Sequence, residues 1–391
     1  MEKSFYAPQA FREKDGSPNQ CFGIEIVPSR RCTLACEACY KLIRQRMSRV
    51  GGLHYIGCTT DASMDTPAED VLDYAAQAKA AGFQEVALLG GEPTMHANIA
   101  EIVDGIRQRD LVPILVTNGL NLKPSLVEAL SASKAVVVTH ASIPGRGETI
   151  DDAAGRSGYA AKLQESIGKL RSAPGVRLVL EMPLTASLYA EAFLFFVHCR
   201  GNGITPFIEI SRRADNGKPT THVTPEQVAT LFEQCRQYDH EHFPELEPAI
   251  ISPPAYGNPC TMSITGLHVK NLDEGDYGGV YSCCAQKVRH GDLKEQTLGE
   301  ILRSPTLTVF RDQDRYIVGP CKDCELYPVC KGGCRGEAVL KFGCPRASSP
   351  ACHHIPPDVR KDRALMAPAS CEGCPLEDNE ECGTIPQGPV R

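Results

Sequence analysis

The feature that most restricts the fold is an alternation of short apolar runs with longer amphipathic stretches, from about residue 22 to residue 211. Amphipathic stretches with helical periodicity separate the runs, and several end at Gly82, Gly201 or Gly203, as helix C-termini prefer. Repeated βα units predict a parallel sheet with right-handed crossovers, and about six units are too few for a closed eight-fold barrel. The apolar runs, interpreted as buried parallel strands, are FGIEIVP, EVALLG, PILVTN, AVVVTHAS, VRLVLEMP and TPFIEIS.

The character of the chain changes after this unit. A polar loop at 211–223 leads into one helix, for which Thr224 is the expected N-cap and Pro225 the first residue. A proline-rich connector follows, and beyond it only TLGEILRSPTLTVFRD has a long periodic pattern. Twelve of the 19 cysteines lie between Cys260 and Cys382. A region of this composition buries little apolar surface and is expected to need metals to fold.

Length and charge exclude several classes of protein. At 391 residues the chain is long enough for two domains, and its net charge of −7 is mixed, without the basic run typical of a nucleic-acid-binding protein. The first 20 residues lack the apolar core of a secretory signal, and no apolar window approaches the length of a membrane span. We therefore expect a cytoplasmic protein with no nucleic-acid or membrane partner. Cysteines that stay reduced in the cytosol are interpreted as metal ligands before disulfides.

The first cysteine group is RCTLACEACYK, which places Cys32, Cys36 and Cys39 in a C-x3-C-x2-C pattern directly after the first strand. Folds built from βα units place their active sites at this edge of the sheet. Thiolates suit zinc or iron–sulfur clusters, and a structural zinc site normally has four ligands. Spacing alone leaves open a [4Fe–4S] cluster with one free iron, zinc completed by a distant ligand, and unligated thiols.

CTLACEACY resembles the cluster motif of the radical S-adenosylmethionine (SAM) enzymes, in which the free iron chelates the amino and carboxylate groups of SAM. The residue before the third cysteine is usually aromatic and is Ala38 here, whereas Tyr40 matches a common variant. LLGGEPTM resembles the GGE motif that contacts the SAM amino group, VTNG ends the next strand, and ASIPG resembles a ribose-contacting segment with Pro144 in place of the usual Asp. The candidates for SAM binding are therefore Tyr40, Gly90, Gly91, Glu92, Pro93, Asn118, Ser142 and, for the carboxylate, Arg212.

The second cysteine group is CKDCELYPVCKGGC, which by itself could bind one zinc ion. Together with GGVYSCC and SSPACHH it resembles the SPASM extension, which carries two auxiliary [4Fe–4S] clusters. The resemblance implies a distal cluster on Cys321, Cys324, Cys330 and Cys352, and a nearer cluster on Cys260, Cys283 and Cys334. For the fourth ligand of the near cluster, Cys284, Cys344 and an open iron remain as alternatives. Cys371, Cys374 and Cys382 lie outside the pattern and could complete the near cluster, bind a further metal with His353 or His354, or form a free tail.

The resemblance predicts an α/β fold, a partial (β/α)6 barrel with a C-terminal cysteine-rich SPASM domain. The expected segments are an N-terminal extension (1–21), a radical SAM core (22–215), a linker helix and connector (216–255), the SPASM domain (256–360) and a cysteine-containing tail (361–391). The expected cofactors are SAM and three [4Fe–4S] clusters, with an external flavodoxin- or ferredoxin-type electron donor.

The expected activity is that of a radical SAM oxidoreductase. A 5′-deoxyadenosyl radical takes hydrogen from a substrate C–H bond, the auxiliary clusters accept an electron, and a general base takes the proton. Glu209, Glu181 and His140 are the base candidates, since all three lie near strand ends. Only about 20 residues precede the first strand, which favours a small molecule or a short, leader-independent peptide as substrate. The first expectation is dehydrogenation of a small-molecule or carbohydrate-like natural-product intermediate. The alternative is a peptide maturase that forms a thioether, a carbon–carbon crosslink or a formylglycine.

Overall fold

The computed structural model describes residues 23–36, 62–140, 147–210, 223–245, 250–252, 266–270, 277–284, 288–370 and 372–377. All six apolar runs of the predicted βα unit form strands, which confirms the α/β assignment. Their boundaries agree with the sequence pattern to within two residues. These strands are β1 (Gly23–Ser29), β2 (Glu85–Gly90), β3 (Val112–Thr117), β4 (Val136–His140), β5 (Arg177–Leu184) and β6 (Thr205–Ile210).

Helices connect these strands, as the amphipathic stretches predict. The helix after the polar loop begins with a capping box, in which the Thr224 hydroxyl accepts from the Gln227 N–H and the Gln227 side chain accepts from the Thr224 N–H. One helix, α4, was not predicted, because GETIDDAA is short and mostly polar. The longer helices are α1 (Ala68–Ala80), α2 (Ile99–Gln108), α3 (Pro124–Ala132), α4 (Gly147–Ala154), α5 (Tyr159–Ser172), α6 (Tyr189–Gly201) and α7 (Pro225–His242).

The sheet is larger than the six predicted strands. Within the described residues its order is β10-β9-β8-β1-β2-β3-β4-β5-β6-β7, and the seven strands β1 to β7 run parallel. β8 pairs in parallel with β1, and β9 and β10 continue in antiparallel fashion. The open sheet confirms a partial barrel, and it also joins the cysteine-rich region directly to the first strand. The added strands are β7 (Ile250–Ser252), β8 (Gly266–Lys270), β9 (Gly279–Tyr281) and β10 (Arg289–Asp292).

The C-terminal region consists mainly of short helices and turns. The periodic segment TLGEILRSPTLTVFRD does not form one helix but two, because Pro305 starts a new helix after a turn at Ser304. The helices are α8 (Leu298–Ile301), α9 (Pro305–Arg311), α10 (Gln313–Tyr316), α11 (Tyr327–Cys330), α12 (Arg335–Phe342) and α13 (Arg363–Met366).

Apolar side chains cover both faces of the sheet. On the helix-facing side, Ile24 and Ile26 of β1 share one core with Val71 and Tyr74 of α1. A second core surrounds α6 and α7 and includes the buried thiols Cys199 and Cys235, which are 0% and 4% exposed. Among the helices of the described residues, none combines the length and apolar character needed to cross a bilayer. The opposite, concave face of the sheet carries an apolar floor, made by Ala87, Ile114, Val136, Val138, Val179 and Phe207.

Candidate active site

Two glycines bring the end of β2 against the first cysteine loop. The Gly91 N–H donates to the Ser29 carbonyl at 3.0 Å, and the Glu92 N–H donates to the Arg31 carbonyl at 2.6 Å. A Cβ atom on Gly91 would lie 2.3 Å from the Arg31 carbonyl oxygen, and one on Gly90 would lie equally close to that of Ser29 at 2.3 Å. Both positions therefore require glycine because backbone meets backbone. This contact fixes the chain immediately before Cys32.

Glu92 is almost completely buried and accepts four hydrogen bonds. Its Oε1 accepts from the Thr94 N–H at 3.0 Å, the Thr94 hydroxyl at 2.7 Å and the Thr117 hydroxyl at 2.6 Å, and its Oε2 accepts from the Asn118 N–H at 2.6 Å. Burial raises the pKa of Glu92, and these hydrogen bonds oppose that rise. The carboxylate is thus held rigidly at the carboxyl ends of β2 and β3.

Tyr159 of α5 connects the ends of β3 and β4 at this edge. Its hydroxyl donates to the Asn118 carbonyl at 2.8 Å and lies 3.1 Å from Nδ1 of His140. Burial raises the pKa of Tyr159, and the nearby negative charges of Cys36, Glu92, Glu181 and Cys32 add to the rise. The Asn118 amide lies 3.9 Å from Sγ of Cys32. Asn118, a predicted SAM contact, therefore lies beside the cysteine loop, and the sequence analysis had not singled out Tyr159.

Two cavities open at this edge. The larger, of about 240 Å³, lies between the cysteine loop and Glu92. Its walls include Arg156 and Lys162, two cations that the sequence analysis missed. The smaller, of about 40 Å³, includes Cys36, His140, Tyr159 and Glu181 in its lining. The larger cavity is lined by Thr33, Glu92, Met95, Asn118, Leu120, Asn121, Arg156 and Lys162.

The three base candidates lie on the ends of neighbouring strands. His140 of β4 is in register with Glu181 of β5, and Pro183 of β5 with Glu209 of β6. Burial, and then the charge of Glu209, raise the pKa of Glu181 well above its usual range, and the two side chains are hydrogen-bonded. Glu181 is buried, whereas Glu209 is exposed. Burial lowers the pKa of His140 to about 4, so its ring is neutral at physiological pH.

A half-buried ion pair, also absent from the sequence analysis, supports the cysteine loop. The Arg31 guanidinium donates to the Asp65 carboxylate and to the Met95 carbonyl. The Ser29 hydroxyl donates to the same carboxylate at 2.7 Å. The end of β1 is thereby tied to the segment after Glu92. Several predicted ligands lie outside the described residues: Cys39, Tyr40, Ser142, Arg212, Cys260, Cys371 and Cys382.

Three of the four predicted distal-cluster cysteines, Cys321, Cys330 and Cys352, are near enough for their charges to interact. Burial raises the pKa of Cys352 to about 11, and the nearby charges of Cys321 and Cys330 add to the rise. The Cys324 N–H donates to the Cys321 carbonyl at 3.3 Å, which keeps the fourth predicted ligand on the same turn. Among the described residues, no three His, Cys, Asp or Glu side chains converge closely enough to hold a single metal ion.

The near-cluster candidates are distributed differently. Cys283 is buried and Cys284 is half-buried, with its carbonyl 3.4 Å from Nζ of Lys270. Cys344 is fully buried in the apolar cluster that contains Cys321, on the distal side. Its position favours Cys284 over Cys344 as the additional near ligand, although the assignment stays a prediction.

One cysteine of the C-terminal group falls within the described residues. Cys374 packs against Val288, Phe310 and Tyr316, so this part of the chain is not a free tail. The aromatic rings of His353 and His354 lie 3.8 Å apart, centroid to centroid. The charges of Glu226 and Arg360 act on His353. His353 therefore lies in a different environment from Cys374.

Comparison with known proteins agrees with this arrangement. A family profile described as Radical SAM superfamily matches residues 26–184, and one described as SPASM, an iron–sulfur cluster-binding domain, matches residues 275–325. The chain therefore belongs to the radical SAM enzymes that carry a SPASM domain. Such an enzyme binds SAM at a [4Fe–4S] cluster and holds auxiliary iron–sulfur clusters in its SPASM domain.

Individual relatives match most of the chain. A PqqA peptide cyclase from Ruegeria pomeroyi is 24% identical over 366 residues, which cover 88% of this chain and 90% of that protein. An AdoMet-dependent heme synthase from Nitratidesulfovibrio vulgaris is 24% identical over 380 residues, or 88% and 95% of the two chains. The structure of Streptococcus suis SuiB bound to the precursor peptide SuiA shares the fold with a TM-score of 0.63 at 18% identity, covering 86% of this chain and 76% of that one.

The residues present fit these cofactors. Cys32 and Cys36 are half-buried thiols outside any disulfide, at the same sheet edge as Glu92 and Asn118 and beside the larger cavity. Soft thiolate donors suit iron–sulfur clusters, and the buried Glu92 carboxylate suits an ammonium group. The numbers of clusters and the individual ligands stay predictions.

Proposed function

We propose that this enzyme matures a peptide by removing hydrogen from one of its C–H bonds, to form a thioether, a carbon–carbon crosslink or a formylglycine. The observation that carries the proposal is the similarity to a PqqA peptide cyclase over 88% of this chain and 90% of that relative. The apolar floor of the concave face, with Val136 and Val138 on its central strand, supports it because such a surface suits the packing of a peptide side chain. The sequence-based preference for a small molecule gives way to the alternative.

The chemistry divides between the cofactor and the chain. SAM bound at its cluster supplies a 5′-deoxyadenosyl radical that abstracts hydrogen. In the proposal Cys32 and Cys36, with Cys39, hold that cluster, and Glu92 receives the SAM amino group. Arg156 and Lys162 line the same cavity and are candidates for the SAM carboxylate beside Arg212.

We assign the proton acceptor to the Glu181–Glu209 pair. Burial, and then the nearby charge of Glu209, raise the pKa of Glu181 and so favour its protonated form. Glu209 is the exposed member and is therefore the group that a substrate proton reaches. His140 is neutral and faces the smaller cavity, which makes it a second acceptor. A flavodoxin- or ferredoxin-type donor in the cytoplasm would supply the electron that starts turnover.

The test is turnover of the anaerobically reconstituted enzyme with SAM, dithionite and short peptides encoded next to its gene. We expect 5′-deoxyadenosine together with a peptide that is lighter by two hydrogen atoms for a crosslink. The variant with Cys32, Cys36 and Cys39 all changed to Ala is expected to form no 5′-deoxyadenosine. Glu209→Gln is expected to lower product formation about 10²-fold or more, while Glu101→Gln on the exposed face of α2 is neutral. Unmodified peptides under conditions that consume SAM would contradict the proposal.

The second candidate is small-molecule chemistry, which the similarity to a heme synthase over 380 residues favours. It predicts that peptides stay unmodified while a small molecule loses hydrogen or carbon dioxide in step with 5′-deoxyadenosine formation. The same turnover assay, analysed by mass spectrometry of both fractions, separates the two candidates.

A further inference from the structure

A fully buried arginine lies between the auxiliary-cluster cysteines. Arg335 directly follows Cys334 and is 0% exposed. Its Nη1 donates to the carbonyls of Pro345 at 2.9 Å and Ala347 at 2.6 Å, and its Nη2 donates to the Gly332 carbonyl. Its Nε lies 3.4 Å from the Gly333 carbonyl. Every hydrogen bond of this guanidinium within the described part of the chain therefore goes to a backbone carbonyl.

Among the residues that the structure describes, no carboxylate faces this buried positive charge. Two further buried arginines are each paired with a carboxylate, Arg200 with Asp239 at 2.6 Å and Arg360 with Glu226 at 2.5 Å. No such ion pair forms at Arg335 among the residues that the structure describes. Burying an ion without a counter-charge costs several kcal/mol, which carbonyl dipoles offset only in part. A negative charge is therefore expected near Arg335 in the functional protein.

The loops that Arg335 holds lead to cysteines. Gly332 and Gly333 lie between Cys330 and Cys334, and both have a left-handed backbone, with φ of 78° and 72°. Pro345 and Ala347 lie in the segment that leads to Cys352. The Cys321 N–H donates to the hydroxyl oxygen of Ser348, the residue after Ala347, at 2.9 Å. A single guanidinium thus bridges the two segments that supply ligands to both predicted auxiliary clusters.

We propose that Arg335 is the internal counter-cation of the auxiliary iron–sulfur clusters and positions the loops of Cys334 and Cys352. A cysteine thiol is neutral, but each thiolate that binds iron carries negative charge. Net charge and hydrogen bonding around a cluster set its reduction potential. Because an added electron makes the cluster more negative, the Arg335 charge favours the reduced form and raises the potential. This inference rests on the SPASM assignment and is independent of the proposed peptide substrate.

The test is an EPR-monitored redox titration of the full-length, reconstituted protein, with iron content measured on the same samples. Arg335→Gln is expected to shift the auxiliary-cluster midpoint potential to more negative values. Arg335→Lys retains the charge but not the planar fork, so we expect an unchanged potential with reduced iron content. Lys322→Gln is the matched control, since it removes an exposed cation next to Cys321 that water screens. The signal that changes when SAM is added belongs to the SAM-binding cluster and serves as an internal reference.

Each outcome decides the proposal. A negative shift in Arg335→Gln alone supports it, and an unchanged potential in that variant overturns it. If Arg335→Gln does not assemble its clusters, Arg335→Lys decides. An auxiliary-cluster midpoint potential equal to that of Lys322→Gln then supports the role of charge. A fall in the auxiliary-cluster potential of Arg335→Lys beyond that of Lys322→Gln, or complete rather than partial loss of its auxiliary clusters, assigns Arg335 to loop geometry alone and overturns the electrostatic role.

Discussion

At the scale of single residues, the concave face of the sheet holds a buried acid–base pair. Glu25 of β1 faces His268 of β8 in register, with Oε2 2.8 Å from Nδ1. The same row continues across the sheet with Ala87 and Ile114. Burial raises the pKa of Glu25 from 4.5 to about 8. At neutral pH the folded protein therefore retains a proton that the unfolded chain has already released near pH 4.5.

This proton makes stability depend on pH. Between pH 4.5 and about 8 the folded state binds more protons than the unfolded state, so the free energy of unfolding falls as the pH rises through this window. Glu25→Gln removes the effect, and its stability relative to wild type is expected to rise with pH. The upper bound is roughly 4 to 5 kcal/mol, at about 1.4 kcal/mol per pKa unit. Urea unfolding at several pH values measures how the free energy of unfolding changes with pH. Glu101→Gln is the exposed control. If the free energies of unfolding of Glu25→Gln and wild type change with pH in parallel, the prediction is wrong.

Single residues also show where sequence reasoning reaches its limit. The motif residues Gly90, Gly91 and Glu92 could be picked out from the sequence because one short segment carries their pattern, and that segment contacts the chain before Cys32. His268 is separated from Glu25 by 243 positions, and Tyr159 reaches Asn118 across 41. No local pattern encodes such pairings, since they depend on which strands and helices become neighbours.

At the scale of elements, the contact between the end of β2 and the loop after β1 supports a prediction. Gly91→Ala would place a methyl group 2.3 Å from the Arg31 carbonyl oxygen and 2.4 Å from that of Arg30. The two segments must then separate, which moves Cys32 relative to Glu92. We expect the reconstituted variant to lose SAM binding and about four irons, those of one cluster, per chain.

Isothermal titration with SAM and iron analysis measure this effect. Gly168→Ala in α5 is the matched control, because an added methyl group there meets nothing within 4 Å. That control is expected to keep its iron and to gain up to about 1 kcal/mol in stability. Full SAM affinity in Gly91→Ala would show that the close contact is dispensable.

Elements with strong periodicity were predictable, and weak ones were not. The helix at Pro225–His242 was expected from Thr224, Pro225 and its apolar spacing, and its capping box is present. The three-residue strands Ile250–Ser252 and Gly279–Tyr281 carry too few residues for a period-two pattern. They form because neighbouring strands offer hydrogen-bonding edges, which is information from tertiary structure.

At the scale of the whole molecule, the cysteine-rich region and the βα unit share one core. Leu267, Val269 and Val280 of β8 and β9 pack in the same cluster as Ile24 and Val71. A chain ending after Ser252 would expose these partners and the edge of β1. We expect it to aggregate or to remain unfolded, as judged by size-exclusion chromatography and circular dichroism.

A chain ending after Ser370 provides the comparison, since it keeps all ten strands described here and loses only Cys374 and Leu376 from a smaller apolar cluster. It is expected to fold with reduced stability. A monomeric, cooperatively unfolding protein from the shorter chain would show that the two regions are independent.

The pairing of β1 with β8 also determines when the protein can fold during synthesis. β1 leaves the ribosome among the first strands, and β2 is available to one of its edges soon afterwards. Its other edge cannot pair until Gly266–Lys270, more than two hundred residues later, has been synthesised. Synthesis proceeds at about 5–20 residues per second. The nascent chain therefore carries an open strand edge for roughly ten seconds or longer. The second edge of β1 pairs only after translation has passed β8. The first cysteine loop is therefore made long before the sheet that supports it is complete.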